Sequence, residues 1–74
     1  MIKVKYHGID LRNRPVFKSE NGLFYGCTGM LFPYNAPEKE VLEMVTETDL
    51  TLFGDHFNCE PAGDPTPELV IERS

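Results

Sequence analysis

Four residues of this sequence have side chains that could bind a metal ion or act as a nucleophile or base: His7, Cys27, His56 and Cys59. Zinc prefers four nitrogen or sulfur ligands in a tetrahedron. Only His56 and Cys59 are close in sequence, and side chains three residues apart on a strand point to opposite faces. The spacing that is typical of metal-binding cysteines and histidines is absent. The sequence therefore predicts no metal and no cofactor, with a site built from all four residues as the alternative.

The pair His56 and Cys59 could also act as a base and a nucleophile, flanked by Asp55 and Glu60. Such chemistry needs a thiolate within hydrogen-bond reach of the imidazole. Free cysteine is among the most buried residue types, and an enclosed pocket of several hundred Å³ is large for a core of this size. We therefore predict that the protein is not an enzyme, and a Cys/His redox site is kept as a weaker alternative.

The first half of the chain combines basic and aromatic residues, namely Lys3, Lys5, Arg12, Arg14 and Lys18 with Tyr6, Phe17 and Tyr25. A basic sheet face that carries aromatic rings can bind single-stranded nucleic acid by stacking. The sequence pI near 4.8 argues against this function, because nucleic-acid-binding domains are typically basic. Strand lysines more often protect a sheet edge. We expect no nucleic-acid binding at physiological salt, and a module that uses the N-terminal strand and loop is the second hypothesis.

Three glutamates at helical spacing form an acidic stripe, which consists of Glu40, Glu43 and Glu47. Glu43 and Glu47 are four residues apart, and a like-charge pair at this spacing costs a few tenths of a kcal/mol. A solubilising helix face would include lysines, yet only Lys39 is present. The stripe is therefore the candidate binding surface for a basic protein partner.

Charge is distributed unevenly along the 74 residues, whose net charge is −5. Residues 1–34 carry +3 and residues 35–74 carry −8. Such asymmetry indicates that the halves attract each other, in the fold or in a homodimer, or that one face meets a charged partner.

The length of 74 residues predicts a single small domain over residues 1–74. The start Met1–Tyr6 lacks the apolar run of a signal peptide, and no stretch is long and apolar enough for a membrane span. We expect a cytoplasmic protein with no membrane contact and with reduced thiols. A Cys27–Cys59 disulfide is the alternative for an oxidising compartment.

The clearest local pattern is the pair Asn21-Gly22 between two strand-like runs. Asn-Gly is the preferred pair for a two-residue type I′ hairpin turn, which needs positive φ at both positions. This turn would place Glu20 opposite Leu23, Lys18 opposite Tyr25, and Val16 opposite Cys27.

The remaining elements follow from hydrophobic periodicity. Alternation from Ile2 to His7 predicts a first strand, and Leu50–Phe53 and Glu68–Glu72 predict two more. Asn35 as cap and Pro37 in the first turn predict a helix over Pro37–Glu47. Its apolar side would pack on the sheet through Val41, Leu42, Met44 and Val45.

The predicted fold is α+β, an antiparallel β-β-β-α-β-β sheet with a single amphipathic helix covering one face. Residues His56–Cys59 could continue the fourth strand beyond a bulge at Gly54, and Glu60–Pro67 reads as a loop. The leading functional hypothesis is a small non-enzymatic accessory protein of bacterial or phage type that binds another macromolecule.

Overall fold

The computed structural model describes residues 1–57, 60–61 and 67–73. Its elements, in chain order, are β1 (Ile2–Ile9), β2 (Pro15–Ser19), β3 (Phe24–Cys27), α1 (Glu38–Met44), a 3₁₀ helix (Glu47–Asp49), β4 (Leu50–Gly54) and β5 (Leu69–Ile71). The predicted continuation of β4 is wrong at His56 and Phe57, which form a bend and a turn, and Cys59 lies outside the described residues. The central part of the predicted loop, residues 62–66, lies outside them as well.

The five strands form one sheet in the order β4-β3-β2-β1-β5. Three neighbouring pairs are antiparallel, but β1 and β5 run parallel, with Ile2 opposite Leu69 and Val4 opposite Ile71. The prediction of a small α+β fold is confirmed, whereas the prediction of a purely antiparallel sheet is wrong. The chain crosses from one edge of the sheet to the other between β4 and β5, and this crossover sets the parallel direction of the last strand.

Both faces of the sheet carry apolar side chains, because neighbouring residues of a strand point to opposite faces. On the core face, Val4, Phe17 and Tyr25 pack with Val41 and Val45, which lie in α1 and just after it. On the second face, Val16, Phe24 and Phe53 form a smaller cluster. The helix therefore packs against part of the core face, with β1 as its main contact.

The first strand follows the predicted alternation and extends further than predicted. Val4 is fully buried, while Lys3 and Lys5 are exposed on the second face. The register with β2 shifts between Tyr6 and Gly8. His7 continues the alternation of Lys3 and Lys5, so its ring lies on the second face, where it contacts Phe24.

The hairpin turn lies where predicted, but the predicted register is wrong. Phe17 pairs with Tyr25 and Lys18 with Phe24, one residue away from the expected pairs. The loop has three residues, closed by Ser19, whose carbonyl accepts from Gly22 N at 3.1 Å and whose backbone N–H donates to Leu23 O at 2.8 Å. Positive φ occurs at Gly22 (87°) and not at Asn21. This is a type I turn followed by a glycine bulge, the usual three-residue hairpin.

We expect Gly22→Ala to destabilise the fold by about 1–2 kcal/mol, because a side chain at φ 87° is strained. Asn21→Ala is expected to cost less, since Asn21 keeps an ordinary φ and contributes only its side-chain contact with Ser19 Oγ. Urea unfolding of both variants measures the difference. A larger loss of unfolding free energy for Asn21→Ala than for Gly22→Ala would contradict the three-residue turn and favour the type I′ turn.

The helix is shorter than predicted. It begins after Pro37, not after a cap at Asn35, and the residue following Met44 is already extended. The 3₁₀ helix then starts after Thr46. The Asp49 carboxylate caps it by accepting hydrogen bonds from Thr46 N at 2.8 Å and from Thr46 Oγ1 at 3.0 Å. Val41 and Val45 are buried as predicted and Leu42 is half-buried, but Met44 is 54% exposed. The prediction that Met44 packs on the sheet is therefore wrong.

Candidate functional site

The predicted acidic stripe is divided by the early end of α1. Glu40 and Glu43 lie on the helix with exposed side chains, and neither makes an ion pair with another described residue. Glu47 belongs to the 3₁₀ helix instead. Glu40 and Glu43 therefore form the exposed acidic face of the helix without the third member.

The carboxylate of Glu47 is used inside the fold. Its Oε2 accepts a hydrogen bond from Ile71 N at 3.1 Å and lies 3.4 Å from Arg73 Nη1. The bond from the Ile71 N–H, with help from Arg73, lowers the pKa of Glu47 below its ordinary value. Because β5 is an edge strand, the Ile71 N–H could otherwise donate a hydrogen bond to a strand of another chain, and the Glu47 carboxylate prevents this by accepting it. Glu47 is thus a structural residue of the sheet edge.

An exposed apolar side chain lies next to the two helix carboxylates. Met44 follows Glu43 directly and is four residues after Glu40, so Met44 and Glu40 share a side of the helix. Its exposed fraction of 54% is high for a large apolar side chain. An exposed apolar residue with charged neighbours is typical of a protein contact surface when it belongs to a larger patch. The acidic surface, defined as Glu40, Glu43 and Met44, can therefore offer both charge and apolar area.

Three of the five basic residues of the first half form ion pairs with carboxylates. Arg14 is only 5% exposed and forms a buried ion pair with Asp10, at 2.6 Å from Nη2 to Oδ2. The exposed side chains of Arg12 and Lys5 form ion pairs with Glu60 and Glu72, respectively. The basic surface of strand and loop is therefore reduced to the three lysines, one of which already has a carboxylate partner.

The alternative in which these lysines share a sheet face with Tyr6, Phe17 and Tyr25 does not match the fold. Phe17 and Tyr25 are buried on the core face, and Tyr6 packs edge-on against Phe17 at a centroid distance of 5.7 Å. Lys5 and Lys18 lie on the second face, where Lys5 is directly opposite Lys18. A stacking surface made of those three aromatic rings does not exist in this fold.

A groove on the second face brings together residues that the sequence separated. Its basic lining consists of Lys3, Lys5 and Lys18, and its other members include His7, Glu20 and Glu72. The lysine alternation in β1 was visible in the sequence. The inclusion of Lys18 depends on the pairing of β1 with β2, which places Lys18 directly opposite Lys5 and which no local pattern predicted.

The histidines and cysteines do not converge in the described part of the chain. Cys27 is a free, buried thiol of the core face, whereas His7 contacts Phe24 and Phe57 on the second face. His56 is exposed, with Nε2 at 3.3 Å from Asp55 Oδ1. Among the described residues, no three His, Cys, Asp or Glu side chains are arranged to hold a metal ion. The alternative that joined His7 and Cys27 in one site is excluded by the sheet between them.

Comparison of the chain with protein-family models, with curated proteins and with solved structures finds no match. In the described part of the chain, no helix has both the length and the apolar character that crossing a bilayer requires.

Proposed function

We propose that this protein is a small non-enzymatic accessory protein of bacterial or phage type, working in the cytoplasm, that binds another protein. The contact is the acidic surface of α1, with Glu40 and Glu43 as its charged members. The partner presents basic residues around an apolar position. Glu47, included in the original stripe, takes no part in this proposal because its carboxylate holds the edge of β5.

The observation that carries the proposal is the combination of Glu40 and Glu43, two of the three exposed carboxylates of α1, with one exposed apolar side chain on the same helix. Opposite charge steers association and selects partners, while apolar area supplies affinity. A helix whose only task was to cover the core would keep Met44 inside, as the periodicity predicts. Instead, Val41 and Val45 provide the packing, and Met44 is left for another contact.

Exchange of Glu40 and Glu43 for lysine is expected to abolish partner binding while the fold survives. Both side chains are exposed, so the Glu40→Lys, Glu43→Lys variant should change the free energy of unfolding by less than about 0.5 kcal/mol. The measurement is affinity capture from the native cytoplasm, with the captured proteins identified by mass spectrometry.

A matched control has the same change in charge at two exposed carboxylates elsewhere, Asp55→Lys with Glu68→Lys. The control should retain every partner of the wild-type protein. Met44→Gln, which leaves the charge unchanged, should weaken capture as well. If the double lysine variant captures the same proteins as the wild type, the acidic surface is not the contact.

A further inference from the structure

The groove on the second face contains an unusual share of the positive charge of this protein. Three of the four lysines in the chain, Lys3, Lys5 and Lys18, line one groove of about 330 Å³. This volume is at the lower end of the range for small-molecule sites. The groove lies on the side of the sheet that faces away from α1.

Protection of a sheet edge does not explain Lys18, which has a paired strand on both sides. Lys3 lies one residue beyond the pairing of β1 with β2, and Lys5 lies one residue beyond the pairing of β1 with β5. Lys5 is directly opposite Lys18, and like charges at such positions destabilise a sheet. A bound anion would turn this repulsion into attraction, because it would lie close to both ammonium groups.

An aromatic surface borders the same groove. The ring of His7 is exposed, and its centroid lies 5.0 Å from that of Phe24 and 5.0 Å from that of Phe57. Lys18 Nζ lies 5.4 Å from the Phe24 ring centroid. The two phenyl rings hold the imidazole in place, so that a flat group can stack on it next to the lysines.

Two carboxylates in the groove restrict the kind of anion. Glu72 Oε2 is 3.6 Å from Lys5 Nζ, and Glu20 lines the same groove. These groups, together with the net charge of −5, repel a long polyanion. They can instead accept hydrogen bonds from the hydroxyl or amino groups of a small ligand.

We propose that this groove binds a nucleoside diphosphate. The phosphates lie between Lys5 and Lys18, with Lys3 beside them, and the base stacks on His7. Glu72 or Glu20 accepts hydrogen bonds from the sugar hydroxyl groups. The site is on the opposite side of the sheet from the acidic surface of α1, so a nucleotide and a protein partner can bind at the same time.

Titration of the full chain with ADP tests this site. Calorimetry, together with amide chemical shifts, is expected to show one-to-one binding, with the shifts concentrated in β1 and β2. Lys5→Gln or Lys18→Gln should weaken binding about tenfold, the usual effect of one lost charged hydrogen bond. The matched control is Lys39→Gln, which removes the same charge from the only lysine outside the groove and should leave the affinity unchanged.

The role of His7 is tested by comparing two probes. His7→Ala should weaken ADP and leave inorganic pyrophosphate unaffected, because pyrophosphate has no base. His7→Phe keeps a flat ring and should retain ADP, which also separates stacking from any loss of folding in the alanine variant. Removal of Lys18 should leave the melting temperature of the free protein unchanged or higher, since it relieves the repulsion from Lys5.

Several outcomes would overturn the proposal. No heat and no shift changes at millimolar ADP would show that the groove takes no nucleotide. An equal loss of affinity in the Lys39→Gln variant would show that only net charge matters. Tighter binding of a single-stranded oligonucleotide than of ADP, or equal binding of polyglutamate, would assign the groove to a nucleic acid or to an acidic protein.

Discussion

Asp10→Asn is expected to destabilise the protein by about 3–5 kcal/mol, the usual cost of removing one partner from a buried ion pair. The Asp10 side chain is fully buried and the Arg14 side chain is only 6% exposed. The carboxylate accepts from Arg14 Nε at 2.7 Å, and also from the backbone N–H groups of Arg12 and Arg14 at 3.0 and 2.9 Å. Asparagine keeps one acceptor but leaves the guanidinium without its opposite charge.

The same pair makes stability depend on pH. Burial raises the pKa of Asp10, but the hydrogen bonds and the charge of Arg14 outweigh this effect, so the pKa lies below its ordinary value of 3.8. The stabilisation is therefore present above that value and is lost as the pH falls through the lower pKa of the folded state. Urea unfolding between pH 7 and pH 2 should show this loss in the wild-type protein and a flatter profile in Asp10→Asn.

A double-mutant cycle separates the pair from its surroundings. Arg14→Met retains apolar contact with Phe53, whose ring centroid lies 4.3 Å from the guanidinium carbon. Arg14→Met should lower the free energy of unfolding much less in the Asp10→Asn background than in the wild-type protein. Additive effects, or a loss below about 1 kcal/mol for Asp10→Asn, would show that this pair does not hold the loop between β1 and β2.

Gly26→Val is expected to destabilise by about 1–3 kcal/mol, although valine is a much better strand residue than glycine. A Cβ at Gly26 would have the Cε2 and Cζ atoms of Phe53 closer than 3.0 Å, a separation that real Cβ atoms do not show. Gly26 and Phe53 are both buried, so the ring has little room to move. Strand propensity therefore predicts that Gly26→Val raises the free energy of unfolding, whereas packing predicts that it lowers it. Thermal or urea unfolding decides between the two.

The control for this prediction is Gly29→Ala, because nothing lies within 4 Å of a Cβ at that exposed position. It should change the free energy of unfolding by less than about 0.5 kcal/mol. Phe53→Leu should cost less in a Gly26→Val background than alone, since the smaller side chain relieves the overlap. A valine variant that is more stable than the wild-type protein would contradict the packing of Phe53 over Gly26.

Local patterns in the sequence predicted where elements occur better than how they pair. The alternation in β1 and the periodicity of α1 each placed an element correctly, because each depends on one short segment. The direction of β5 relative to β1 depends on residues more than sixty positions apart, and no local pattern encodes it. The turn at Asn21-Gly22 could close with two or three loop residues, because Gly22 supplies the positive φ in either case.

The candidate sites were less predictable for the same reason. The helix end could have been read from Thr46 and Asp49, a Ser/Thr-x-x-acid pattern that starts a new helical turn, and this would have removed Glu47 from the stripe. The buried Asp10–Arg14 pair looked like ordinary loop polarity. The lysine groove required the register between β1 and β2, in which a shift of one residue changes the cross-strand neighbours of every side chain.

The parallel pairing of β1 with β5 has a consequence for the order of folding during synthesis. Ile2 N donates to Glu68 O and Glu72 N donates to Val4 O, both at 2.9 Å, so β1 acquires its second neighbour from residues that are made more than sixty positions later. The hairpin and helix can form on the growing chain, but β1 stays an open, pairing-competent edge until residues 69–71 are released. Contacts of such long sequence separation also slow folding. The nascent protein is therefore most exposed to wrong strand pairing in the interval after β1 and β2 have paired and before residues 69–71 are available to pair with β1.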